Sequence, residues 1–103
     1  MGAVQRFFPL DHPAALGHFP DNPIIPGAVL LSETLRAIET NLDIILSPGR
    51  LASVKFLHPT RPGDLVKIAY SVSAPDAVKF TCSVEKITVM TGMVKCDAPS
   101  TQA

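Results

Sequence analysis

Proline is concentrated in one stretch near the amino terminus, and this distribution constrains the fold more than any other feature of the sequence. Five of the chain's ten prolines lie between Pro9 and Pro26. Proline fixes φ and has no backbone N–H, so neither a helix interior nor a central strand accommodates it repeatedly. Residues 9–26 therefore predict an ordered loop, which ends in the segment GHFPDNPIIPG, residues 17–27.

A single amphipathic helix is predicted directly after this loop. In AVLLSETLRAIETNL, residues 28–42, apolar side chains recur at spacings of three and four, the period of one helix face. They are Ala28, Leu31, Leu35, Ile38 and Leu42. Val29 and Leu30 widen this face where the helix begins, as expected of a helix that is largely enclosed. Ser47-Pro48-Gly49 is expected to terminate the helix.

Strand-like alternation marks the rest of the chain. Residues 3–8 predict a short first strand, and four further segments follow the helix. They cover residues 51–57, 66–72, 78–85 and 88–96. Ala74-Pro75-Asp76 and Pro62-Gly63 have the composition of turns. Consecutive strands of this kind imply an antiparallel sheet packed on one helix, an α+β arrangement, but the pattern leaves the strand order open.

The size and composition of the chain predict one small folded domain. It has 103 residues, of which 47% are hydrophobic and 17% charged, which is enough apolar surface for a compact core. We therefore expect a single domain over residues 1–103, with a loose tail over 97–103. A chain this short has a high surface-to-volume ratio, which favours association into a homodimer or higher homo-oligomer.

Charge and targeting signals argue against several classes of partner. Nine Lys and Arg balance nine Asp and Glu, so neither nucleic acid nor a membrane surface is an expected partner. No apolar segment approaches the roughly 20 residues that span a bilayer, and the amino terminus does not resemble a secretory signal. The sequence therefore predicts a soluble cytoplasmic protein.

The two cysteines, Cys82 and Cys96, have neither metal-ligand nor CxxC spacing. Free thiols in a reducing compartment are the preferred interpretation, and a disulfide between them stays open. Cys82 alternates with apolar core positions and is expected to pack there. No metal or cofactor is expected.

The start of the helix lacks a capping side chain. The first four N–H groups of a helix have no intrahelical partner, and Pro26-Gly27-Ala28 stands where Ser, Thr, Asp or Asn is usual. Gly27 has no side chain to shield its amide, so a ligand oxygen can approach it. The helix dipole there suits a carbonyl that becomes an enolate. An equally weighted alternative is that water solvates these groups and Gly27 only permits a turn.

His18 is the candidate general base in the loop. Pro20, Pro23 and Pro26 restrict φ and reduce the loop's entropy, which holds the imidazole relative to the helix start. A positioned base needs such rigidity. Two alternatives are an ordinary packing histidine and a PxxP ligand for a recognition domain. The second is disfavoured because apolar structure flanks the segment.

Two motifs resemble those of the hot-dog-fold 3-hydroxyacyl-[acyl-carrier-protein] dehydratases, the FabA/FabZ-like family. GHFPDNPIIPGAVLL agrees with the pattern GHFPxxPxxPGVxxxE/D. The matching residues are His18, Phe19, Pro20, Pro23, Pro26 and Gly27. KFLHPTRPGDLVKI agrees with a second pattern, F-x-x-P-x-x-PGD. Its matching residues are Phe56, Pro59, Pro62, Gly63 and Asp64. Together they cover about the middle half of the chain, which resembles a compact member of the family.

The resemblance implies a fold and a chemistry. It implies a long helix wrapped by an antiparallel sheet, homodimers, and an acyl tunnel at the dimer interface. His18 would remove the proton beside the thioester carbonyl, and the Gly27 amide would hold the thioester oxygen. Phe19, Pro26 and Ala28 would contact substrate. The substrate would be an acyl-phosphopantetheine on acyl carrier protein.

The sequence departs from the family pattern at the carboxylate. That residue belongs fourteen positions after His18, where this chain has Ser32, followed by Glu33. A shift of one residue rotates a helical side chain by about 100°, so Glu33 does not simply replace it. Ser32 hydrogen-bonds but supplies no acid near neutral pH. Three alternatives stay open. Glu33 reaches the site, another acid such as Asp21 or Asp11 takes the place of the family carboxylate, or the protein binds acyl thioesters with little dehydration. Glu33 is also expected to pair on the surface with Arg36.

Three functions follow from these residues. The first is a dehydratase that converts 3-hydroxyacyl thioesters to trans-2-enoyl thioesters, with His18, Ser32 and Glu33 as candidate catalytic residues. The second is an acyl-thioester binding module without catalysis. The third is a thioesterase of the same fold, in which Glu33 would serve hydrolysis. His12 and His58 each precede a proline and are expected to be structural.

Overall fold

A computed structural model describes residues 2–12, 23–42, 46–74 and 76–96, without the side chains of residues 46–50, 74 and 96. These ranges contain one helix, α1 (Gly27–Leu42), between the first and second strands. The strands are β1 (Gly2–Phe7), β2 (Leu46–Phe56), β3 (Leu65–Ala74), β4 (Ala77–Val84) and β5 (Ile87–Cys96). The helix and strands therefore follow the predicted order.

The strands form one antiparallel sheet in the order β1-β3-β4-β5-β2. Three sequential strands make the middle of the sheet, and the strands on either side of the helix in sequence become its two edges. The backbone of α1 lies closest to those edges, β1 and β2. The sheet therefore curves around the helix, which confirms the predicted antiparallel sheet on a single helix.

One predicted boundary is wrong. Ser47-Pro48-Gly49 does not stop the helix, because α1 already ends at Leu42 and these residues lie in β2. β2 is an edge strand, where a proline removes no ladder hydrogen bond from a central position. Its pairing with β5 also shifts register between Leu46 and Leu51. The expected tail, residues 97–103, lies outside the described residues, and the single domain stays a prediction.

The buried face of α1 is rotated from the predicted one. Ala28 is exposed, whereas Leu31 and Leu42 are only half-buried. The buried helix residues are Leu30, Thr34, Leu35, Ala37 and Ile38. The prediction is based on apolar residues alone and so does not include Thr34. This residue lies on the helix face that packs against the sheet.

Thr34 is buried because it has a partner in the sheet. Its Oγ1 lies 3.5 Å from Sγ of Cys82 on β4, and both side chains are inaccessible to solvent. This contact satisfies a hydroxyl that would otherwise be costly to bury. Cys82 is a free thiol in the core, as predicted, and its burial raises its pKa to about 11.

This raised pKa predicts a loss of stability in alkali. Above pH 9 the unfolded thiol ionises while the folded thiol stays protonated, so the unfolded chain is favoured as the pH rises to about 11. The free energy of unfolding should fall by roughly 2 to 3 kcal/mol over that interval from this thiol alone. Urea unfolding of wild type and Cys82→Ala across the interval isolates the thiol. Equal pH slopes in the two proteins would contradict the assignment.

Candidate active site

A cavity of about 340 Å³ opens beside the first turn of α1. One side of it is the end of the proline-rich loop with the helix start, and the other is the segment that follows β2. The residues around it are Ile24, Ile25, Gly27, Leu30, Phe56, Leu57, His58, Pro59 and Thr60. In this described part of the wall only His58 and Thr60 have polar side chains, so the cavity suits an apolar ligand with few polar atoms.

Backbone hydrogen bonds hold the two sides of the cavity together. The N–H of Ile25 donates to the carbonyl of Thr60 at 2.7 Å, which makes an isolated antiparallel bridge. On the other side, the N–H groups of Leu57 and His58 donate to the carbonyl of Val89 on β5, at 2.9 and 3.4 Å. The end of the loop is therefore tied through this segment to the sheet.

The second sequence motif supplies this wall. Arg61–Asp64 forms the predicted turn, in which the N–H of Asp64 donates to the carbonyl of Arg61 at 3.0 Å. A carboxylate oxygen of Asp64 accepts the N–H of Arg61 at 2.8 Å. Sequence reasoning treated the motif as a strand and a turn and missed that Phe56, His58 and Thr60 line the cavity.

Gly27 begins α1 at the edge of the cavity. The carbonyl of Pro26 accepts the N–H groups of Val29 and Leu30, both at 3.0 Å, and the first turn contains no acidic residue. A Cβ built on Gly27 would lie 3.0 Å from the ring of Phe56. The absent side chain thus lets this ring pack directly beside the helix start.

Not every predicted site residue is described by the structure. His18, Phe19 and Asp21 lie outside the described residues. His12 packs its ring on Phe8, with centroids 5.5 Å apart, whereas exposed His58 borders the cavity.

The helix side chains at the family's carboxylate position do not line the cavity. Ser32 is exposed. Glu33 places Oε1 3.6 Å from Nε of Arg6 on β1, with both side chains partly exposed. The expected pairing with Arg36 is therefore wrong, because the edge strand brings Arg6 to this face of the helix. Such an exposed pair contributes at most about 1 kcal/mol, so Glu33 is not locked in place.

Comparison with known proteins identifies the family. A family model described as ApeI-like, ApeI dehydratase, matches residues 3–93. The chain belongs to the ApeI-like family. Within the described residues, this family member has no helix long and apolar enough to cross a membrane. The same ranges contain no cluster of metal-ligating side chains.

Individual relatives agree with this assignment. A 3-hydroxyacyl-[acyl-carrier-protein] dehydratase FabZ of Chlamydia muridarum is 32% identical over 72 residues, covering 61% of this chain and 47% of the relative. The chain thus spans about half the length of this curated relative. Two solved structures share the fold. The dehydratase heterocomplex ApeI:P from Xenorhabdus doucetiae matches with a TM-score of 0.70 and 24% identity, covering 92% of this chain and 86% of that one.

The second structure is the (R)-hydratase from A. caviae involved in PHA biosynthesis. It matches with a TM-score of 0.65 and 19% identity, and the match covers 93% of each chain. These matches confirm the hot-dog fold that the two motifs implied.

Alanine substitutions at two glycines compare how well the cavity wall and the core accommodate an added Cβ. Gly27→Ala should change the free energy of unfolding by less than about 1 kcal/mol, because the Phe56 ring is 49% exposed and can shift while Ala favours the helix. Gly92→Ala should lose about 2 kcal/mol or more, because its Cβ would lie 2.5 Å from the buried Phe80 ring and 2.8 Å from the carbonyl of Ser53. Urea unfolding measures both. An equal loss would show that Phe56 is fixed.

Proposed function

We propose that this ApeI-like protein dehydrates 3-hydroxyacyl thioesters carried on acyl carrier protein to trans-2-enoyl thioesters. The observation that supports this most directly is the apolar cavity at the uncapped start of α1, where the GHFPDNPIIPG motif enters the helix. The first-turn N–H groups and the helix dipole favour an oxygen that gains negative charge. A thioester carbonyl provides such an oxygen when the neighbouring carbon loses its proton.

The proposed chemistry assigns one task to each group. His18 takes a proton from C2 of the acyl chain, and the Gly27 amide donates to the thioester oxygen. The electron pair left on C2 then forms the C2–C3 double bond while the C3–O bond breaks. The departing hydroxyl takes a proton from an acid and leaves as water. Phe19, Pro26 and Ala28 are proposed to contact the substrate near the same helix end.

The source of that acid is the unusual part of the proposal. Ser32 has no acidic proton near neutral pH, and Glu33 lies beside Arg6 rather than at the cavity. The exposure of Ser32 is compatible with a position that serves a neighbouring subunit, because such a side chain must reach the protein surface. Glu33, Asp11 and Asp21 are the candidate replacements. Asp11 is exposed after β1.

A binding module without catalysis is the second candidate function. It is favoured by the combination of Ser32 at the carboxylate position with Glu33 paired to Arg6, since together they leave the described site without a carboxylate. In both functions the partners are acyl carrier protein and a second hot-dog subunit. A homodimer is proposed first, and the Xenorhabdus dehydratase heterocomplex makes a complex with a different chain the alternative.

One assay separates these functions. Purified protein is mixed with a 3-hydroxyacyl-carrier substrate, and enoyl product and free thiol are followed separately. Enoyl product supports the dehydratase. Binding without turnover supports the binding module, and release of free thiol would support a thioesterase instead.

His18→Ala should lower the dehydration rate at least about 100-fold, because removal of a general acid or base costs 10² to 10⁴ in rate. The rate of enoyl formation under single-turnover conditions is the measurement. His12→Ala is the matched control, because His12 packs on Phe8 away from the cavity. An undiminished rate in His18→Ala would exclude His18 from the mechanism.

Ser32→Asp should raise the dehydration rate about tenfold or more by restoring a carboxylate at the family position. Ser32→Asn has nearly the same shape but no acid, so it should show no gain. Both variants should fold normally because Ser32 is exposed. If Ser32→Asp folds without a gain, the acid comes from another residue.

A further inference from the structure

The side chain of Thr60 has an unsatisfied hydroxyl inside the protein. Thr60 is 1% exposed, and its Oγ1 has no hydrogen-bond partner among the described residues. Thr34, the other buried threonine in these ranges, has a partner in Cys82. Buried polar side chains nearly always have a partner, because losing hydration without replacement is costly. Valine has the same shape and would avoid this cost, so the hydroxyl points to a partner that is not among the described residues.

The position of Thr60 indicates where that partner binds. Thr60 belongs to the wall of the cavity at the start of α1, and its carbonyl holds Ile25 through the 2.7 Å hydrogen bond. Its backbone is therefore fixed against the end of the loop. Its side chain turns about one bond, χ1, and a turn to the next rotamer, by about 120°, moves the hydroxyl to the position of the methyl group or of the hydrogen on Cβ. The hydroxyl can thus turn to a ligand in the cavity without movement of the backbone.

The other groups of the cavity wall indicate which ligand group the Thr60 hydroxyl would bind. In the described wall Thr60 shares the cavity with apolar side chains and one exposed histidine, His58. The first-turn N–H groups only donate, which suits a carbonyl oxygen. A threonine hydroxyl both donates and accepts, as does a hydroxyl on a ligand. An uncharged hydroxyl is also a poor partner for a carboxylate or phosphate compared with Arg or Lys.

We propose that Thr60 binds the 3-hydroxyl group of the acyl ligand and makes the cavity selective for 3-hydroxyacyl over saturated acyl chains. This inference rests on the proposed function, because it assigns the substrate to the same cavity. Thr60 is a substrate-binding residue that orients the C3–O bond, and it supplies no proton to the leaving hydroxyl. One neutral hydrogen bond gives a preference of about three- to tenfold.

The test uses two ligands that do not turn over, a 3-hydroxyacyl pantetheine and a saturated acyl pantetheine of equal length, both with an amide in place of the thioester. Calorimetry measures their affinities for wild type, Thr60→Val and Thr60→Ser. Thr60→Val should bind the 3-hydroxy ligand about three- to tenfold more weakly and the saturated ligand unchanged. Thr60→Ser, which keeps the hydroxyl, should retain the wild-type preference. The thermal midpoint of Thr60→Val without ligand should equal or exceed that of wild type.

Each other outcome overturns the inference in a recognisable way. Unchanged affinities in Thr60→Val would show that the hydroxyl does not contact the ligand. Equal weakening of both ligands would mean that Thr60 only shapes the cavity. A lower thermal midpoint, or a failure to fold, would reveal a structural partner for the hydroxyl in the free protein. If wild type binds neither ligand, the proposed function fails as well.

Discussion

The hydrogen bond from Ile25 to Thr60 connects the two motifs on which the site depends. Among the described residues, this is the backbone hydrogen bond that attaches the end of the proline-rich loop to the segment after β2. Because that segment is itself bonded to β5, the start of α1 is positioned relative to the whole sheet. The prolines restrict backbone dihedral angles locally. The Ile25–Thr60 hydrogen bond then holds the end of the loop against the opposite wall of the cavity.

The chemistry available in that cavity is mostly neutral. Its described wall has the open end of a helix, one exposed imidazole and one buried hydroxyl, surrounded by apolar side chains. This environment favours an oxygen that develops negative charge, because the described wall places no carboxylate beside the helix end. Because the described wall contains no carboxylate, acid–base catalysis by a carboxyl group in the cavity would require one from another part of the protein.

Polar side chains also explain where the packing departs from expectation. Thr34 is not among the apolar residues that predict the buried face of α1. It is nevertheless buried, in contact with Cys82. Glu33 was expected to pair along the helix, yet Arg6 reaches it from an edge strand. In both cases the partner is distant in sequence. Helical periodicity describes the spacing of side chains within one helix. It contains no information about which side chains of a neighbouring strand will contact that helix.

The sequence by itself determined the kinds of elements, their order and the position of the uncapped helix start. These features follow from proline geometry and from side-chain periodicity, which act over a few residues. Only the tertiary structure decided the strand order, the early start of β2 and the convergence of Gly27, Phe56 and Thr60 on one cavity. Those features depend on the curvature of the sheet and on long-range backbone pairing, which no local pattern specifies.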